Sequence, residues 1–255
     1  MLGNVGCKSS ETYELKMRLV KGDVFAQNMS MEMDMKMMGM GMKMKVETGS
    51  SFEVIKSEAS EKDLKMTYTK MYTTINMAGM PNTVANADSA MNAPATEIIG
   101  KSVVMKLSKE NEIIDVTDGE VLFSIEKADS ATQEMMKKMF SKEQLGNLFG
   151  MMFSMYPKKP VKIGDTWTGE TNTNLDGIDM KIAVKYKLLA VKDGLADISI
   201  DGVIGGKGNM VTGGMNIEVN MDGSQKGVIT IKVADGYLKT STYKMDMKAD
   251  MEMMG

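Results

Sequence analysis

Met29-Ser30-Met31-Glu32-Met33-Asp34-Met35-Lys36-Met37 alternates a thioether with a polar side chain without interruption. Successive side chains of a β-strand point to opposite faces, so a period of two gives a strand with one apolar and one solvated face. Met38, Met40, Met42 and Met44 follow in the opposite phase. That change needs a bulge or a hairpin, and Gly39 and Gly41 favour a reversal. Near the C-terminus Met245, Met247, Met251 and Met253 alternate in the same way with Lys244, Asp246, Lys248, Asp250 and Glu252. The expected fold is therefore mainly β, with a wall of flexible thioethers.

Outward from this stretch, alternation and turn residues predict strands over 12–20, 24–36, 40–55 and 62–75, then 102–107 and 113–116. Residues 76–97, rich in Ala, Asn, Met and Pro, read as a long loop. Two capping boxes, Ser130 with Gln133 and Ser141 with Gln144, open helices between 130 and 156. Leu145, Leu148, Phe149, Met152 and Phe153 form an apolar helical stripe, and Pro157 and Pro160 end it. A meander follows, with strands over 166–174, 178–191, 195–204, 208–221, 228–233 and 237–253. Gly205-Gly206-Lys207-Gly208 reads as a turn, because it lacks the spacing and hydroxyl of a phosphate loop.

Lys21-Gly22-Asp23-Val24-Phe25 recurs as Ile163-Gly164-Asp165-Thr166-Trp167, each before a long alternating segment. The chain thus divides into a tether over 1–11, a first β half over 12–129, a helical insert over 130–156 and a second β half over 157–255. The expected architecture is an antiparallel, strongly curved sheet or half-open barrel, built from two similar halves with a short helical insert. A pair of packed β sandwiches is the alternative.

Thirty-two methionines and no histidine set the chemistry. Without histidine there is no Ser-His-Asp or Cys-His constellation, and most of the acids alternate with strand methionines, which places them on the solvated face. The expectation is a protein that is not an enzyme and carries no cofactor. A net charge of -3 gives no reason to expect nucleic acid.

Leu2-Gly3-Asn4-Val5-Gly6-Cys7-Lys8-Ser9-Ser10-Glu11 looks like the end of a bacterial lipoprotein signal followed by a polar tether. Cys7 is the sole cysteine and is the expected lipid-attachment residue. Tyr156-Pro157-Lys158-Lys159-Pro160-Val161-Lys162-Ile163-Gly164-Asp165-Thr166-Trp167 resembles the centre of a family of secreted, Bacteroidota-type lipoproteins. That family is defined by a domain of unknown function and a Pro-Val-x-x-Gly-Asp-x-Trp motif. The resemblance implies a lipid-anchored location in the cell envelope and a β-rich fold, and it implies no catalytic residue. In physical terms Gly-Asp makes a corner and Trp167 plugs a core edge.

The expected ligand face consists of Met31, Met33, Met35, Met40, Met42, Met44, Met245 and Met247. It would serve a lipid or other apolar small molecule, or act as an interaction module. The rival reading is a soft-metal protein, since thioethers suit Cu(I) and Ag(I). The regularity of the alternation favours apolar lining over a dedicated metal site.

Overall fold

The computed structural model describes residues 11–37, 40–77, 98–117, 146, 150, 153–175, 177–212 and 215–254. They form β1 (Val24–Met37), β2 (Met40–Ser57), β3 (Glu61–Met77), β4 (Ser102–Ser108), β5 (Ile113–Thr117), β6 (Thr166–Leu175), β7 (Ile178–Lys192), β8 (Leu195–Thr212), β9 (Met215–Lys232) and β10 (Leu238–Met254). All ten strands make one sheet in the order β5-β4-β3-β2-β1-β10-β9-β8-β7-β6. This excludes a pair of sandwiches. It also departs from a purely antiparallel sheet, because β1 and β10 pair in parallel at the centre.

The sheet is not closed into a barrel, since β5 and β6 remain as two edges. A flat ten-stranded sheet would hold those edges about 43 Å apart, at about 4.8 Å per strand. Here Ile113 of β5 and Trp167 of β6 line one cavity of about 1550 Å³, so the sheet curls. Gly146, Gly150 and residues 153–156 sit in the gap. Gly146 lies beside the Ile113 side chain, and the Trp167 indole N–H donates to the Met155 carbonyl at 2.8 Å. Gly146, Gly150, Phe153 and Ser154 have helical backbone and Met155 and Tyr156 do not, while the other residues of the expected insert, including both capping boxes, lie outside the described residues.

The reversed methionine phase is explained by a hairpin. Met37 faces Met40, so the two-residue connection returns both series to one face. The Gly-Asp repeats also form one and the same turn. Gly22 and Gly164 adopt φ +91° and +96°. Each glycine N–H donates to a neighbouring strand, at Val54 or Leu188, and the N–H of that same residue returns a bond to the following aspartate carbonyl. Register shifts then follow at Val54/Lys56 and at Leu188/Ala190.

Two expectations are corrected. Residues 12–20 do not join the sheet. They run extended across it, with a single bridge from Tyr13 to Val161. Their alternation is real, because Leu15, Met17 and Leu19 are buried. The backbone is instead held by the Asp235 carbonyl at Arg18 and by the Asn111 amide at Met17. The Gly205-Gly206-Lys207-Gly208 turn is also absent, because β8 continues through it, paired to β7 and β9. Accordingly 208–221 and 228–233 are not separate strands: the first splits between β8 and β9, and the second is the end of β9. The glycines make room for large neighbours here, with a Cβ on Gly206 falling 3.3 Å from Ile178 and 3.4 Å from Met221.

The packed core lies at one end of the curled sheet. One cluster gathers Met17, Leu19, Phe25, Phe52, Leu64 and Met105 with Tyr237; the other gathers Leu15, Tyr186, Leu188, Ile198 and Ile231 with Leu238. The crossing segment thus plugs the base, supplying Leu15 to one cluster and Met17 and Leu19 to the other.

Three tyrosines seal this base. Tyr156 donates to the Gly236 carbonyl at 2.6 Å, Tyr237 donates to Asp23 and to the Arg18 carbonyl, and Tyr186 stacks on Trp167. Desolvation pushes Tyr186 up to about 12 and raises Tyr156 and Tyr237 further. An unfolded tyrosine ionises near about 10. The stabilisation is therefore complete below pH of about 10 and is lost as pH rises through the folded values. Unfolding midpoints measured between pH 9 and about 11.5 are expected to fall with pH, and less steeply in Tyr156→Phe. A flat profile would contradict the assignment.

Candidate ligand-binding face

Beyond the base, the inward positions of β1, β2 and β10 change from large apolar groups to methionine. Parallel pairing of β1 with β10 brings methionines from the two ends of the chain side by side. Met33 faces Met44 on β2 and Met245 on β10. Met35 faces Met42 and Met247, and Met31 faces Val46 and Tyr243. Met40, opposite Met37, completes the series at the hairpin. All eight residues expected from the sequence thus share one face of three adjacent strands. β3 extends it, with Ile75 opposite Met44 and Met77 opposite Met42.

The face is only half closed. Met31, Met33, Met42, Met44, Met245 and Met247 are each intermediate in exposure, whereas the core below them is buried. Among the described residues the buried methionines are others: Met17, Met66, Met105 and Met155. The closed core is mostly Leu, Ile, Val and Phe, and the alternating methionines form the more open upper wall.

The two faces differ sharply in charge. Inward positions from Phe25 to Met37, Met40 to Phe52 and Ser241 to Met253 carry no ionisable group except Tyr243, which is neutral at ordinary pH. The outward positions of the same strands form an ion-pair lattice. Lys244 reaches Asp34 across the parallel junction at 2.9 Å, and Glu47 lies between Lys45 at 2.9 Å and Lys70 at 2.7 Å. Hydrogen bonds from Lys70 and Lys45 bring Glu47 down to about 2. These exposed pairs keep the outer face solvated and specify which face turns inward.

A few polar side chains interrupt the inner face, and alternation alone singles none of them out as functional. Gln27, Ser50 and Tyr68 occupy one row across β1, β2 and β3. Ser241 and Gln225 are buried on β10 and β9, and Tyr243 donates to the Met29 sulfur at 3.5 Å. Their sequence signal was phase: Gln27 keeps the period of Phe25 and Met29.

Among the described residues no group of three His, Cys, Asp or Glu side chains is placed to hold a metal ion, and no helix is long and apolar enough to cross a membrane. Cys7 lies outside the described residues. Val161, Gly164, Asp165 and Trp167 of the central motif hold the corner that starts β6, which is the structural role expected for them.

A family model described as a family of unknown function (DUF6263) matches residues 59–238, and the chain belongs to that family. The matched region holds β3 to β9 and the central motif, while most of the methionine wall on β1, β2 and β10 lies outside it. No curated protein and no solved structure matches.

Proposed function

We propose that this is a non-enzymatic envelope lipoprotein that holds a hydrophobic ligand against its methionine-lined inner face. The observation that carries the reading is the convergence of uncharged methionines from both ends of the chain onto one half-open face. Methionine suits that task, because its unbranched side chain adapts to irregular apolar shapes. The same surface would serve an interaction module that accepts an apolar segment of a partner. Anchoring through Cys7 is motivated by the Val5-Gly6-Cys7 junction. An intact-mass measurement of protein made from its full precursor in a lipidating bacterium should show acyl chains on Cys7. An unmodified thiol would end the anchor proposal.

One observation favours a second reading. Met33 stands directly opposite both Met44 and Met245, which puts three thioethers from three strands in one row. Such a row could bind Cu(I). The triple change Met40→Leu, Met42→Leu and Met44→Leu separates the two. Leucine keeps volume at below about 1.5 kcal/mol per site, so an apolar face should still bind N-phenyl-1-naphthylamine, an uncharged fluorophore. Tight Cu(I) binding in chelator competition that disappears in the triple variant would replace the apolar reading with the metal one.

We also infer that the sheet is a tandem of two five-stranded units, β1 to β5 and β6 to β10. The support is the matching strand order, the matching Gly-Asp turns and the register shifts that follow them. Exchanging Lys21-Gly22-Asp23 with Ile163-Gly164-Asp165 should then move stability by no more than about 0.5 kcal/mol. A large loss would argue against equivalence.

A further inference from the structure

Gln27 stands between Phe25 and Met29 on the inner face, where the packed base gives way to the methionine wall. Its side-chain carbonyl oxygen is enclosed and accepts no hydrogen bond. Native proteins leave few buried polar atoms unpaired, and each such atom calls for an explanation. The surroundings narrow the explanation. Ser50 faces Gln27 and is buried, and Tyr68 faces Ser50 while packing on the core cluster. On the other side of β1, Ser241 is buried opposite Met29, and the Tyr243 hydroxyl contacts the Met29 sulfur. The result is a band of uncharged hydrogen-bonding groups at the floor of an apolar wall.

This chemistry selects a ligand class. No cation on the band would meet a carboxylate or phosphate, and no anion would meet an ammonium. The Gln27 oxygen can only accept, so its complement is a hydroxyl or an N–H. Met29, two residues along the same face of β1 and with three rotatable bonds, can adjust its side chain to admit a head group beside Gln27.

We propose that the inner face takes an uncharged amphiphile, whose hydroxyl- or amide-bearing head donates to Gln27 while its apolar chain lies along Met31, Met33 and Met44. The inference rests on the apolar-ligand reading above and adds the identity of the head. Displacement of N-phenyl-1-naphthylamine tests the two separately, with three competitors that share one acyl chain: monopalmitoylglycerol, methyl palmitate and palmitate at pH 8.

Monopalmitoylglycerol is expected to displace the dye at about tenfold lower concentration than methyl palmitate, which can only accept, and to outcompete ionised palmitate. Gln27→Leu should erase that preference, each competitor being scored against the variant's own dye affinity. Equal potency of the glycerol and methyl esters on the unmodified protein, or stronger binding of palmitate, overturns the head-group assignment and leaves the apolar site standing. Persistence of the preference in Gln27→Leu overturns it too. Absence of dye binding to the unmodified protein overturns the apolar reading and this inference together. Should Gln27→Leu fail to fold, the ratio measured on the unmodified protein decides.

Discussion

Phe52→Ala is expected to cost about 3–5 kcal/mol of stability, while Met44→Ala, on the same face of the same strand, should cost about 1 kcal/mol. Phe52 is 2% exposed, and its ring stacks on Phe25 with centroids 5.0 Å apart. Phe25 in turn stacks on Tyr237 at 4.0 Å, so the truncation opens a void inside the cluster that joins β1, β2 and the β9–β10 turn. Met44 is half-exposed among other methionines, which can relax into the space it leaves. Denaturant titrations of the two variants measure the difference. Equal losses would mean that base and wall are one continuous core, contrary to the division described above.

Gly236→Ala is the second large effect, expected at about 2–5 kcal/mol from a left-handed backbone penalty of about 1–2 and an overpacking penalty of about 1–3. Gly236 has φ +75°, and a Cβ there would run into the Lys16 carbonyl oxygen and backbone. This contact seats the crossing segment on the β9–β10 turn. Arg18 donates to the Asp235 carbonyl through its backbone N–H and to the Ala234 carbonyl through its guanidinium. Gly194 provides the control, with φ +76° and nothing within 4 Å of the added carbon. Gly194→Ala should therefore cost only the backbone part, about 1–2 kcal/mol. Thermal or urea midpoints that match for the two variants would show that the segment does not press on the turn.

Much of this fold was legible in the sequence, because half-buried strands write their period into the chain. The methionine phase on β1 and β2 and the long strands β7 and β10 all follow from alternation. Asp193-Gly194 and Asp235-Gly236 both read as turns from their Asp-Gly dipeptides, yet nothing local tells which glycine is pressed by another segment. Gly205 to Gly208 misled for a related reason. Glycine reports the absence of a side chain, and both a turn and a strand crowded by Ile178 and Met221 need that. Residues 12–20 carry a true period of two but take their hydrogen bonds from a turn and a side-chain amide, which the pattern cannot distinguish from a ladder.

The candidate face was legible residue by residue, whereas its assembly was not. Nothing in either segment announces that β1 and β10 pair in parallel and align Met33 with Met245. That pairing depends on the path of the whole chain. Gln27 was missed because one polar residue inside an apolar series reads as noise. Its meaning comes from the enclosed, unpaired oxygen, which only the packed structure reveals.

The central claim is that the methionine wall exists to hold an apolar guest. Native mass spectrometry of the protein, purified without detergent exchange from the cells that make it, tests this most directly. A fraction of molecules is expected to carry a bound lipid-sized adduct that is released on unfolding and is neutral when isolated. A preparation that is uniformly free of adducts, or that carries copper in its place, would contradict it.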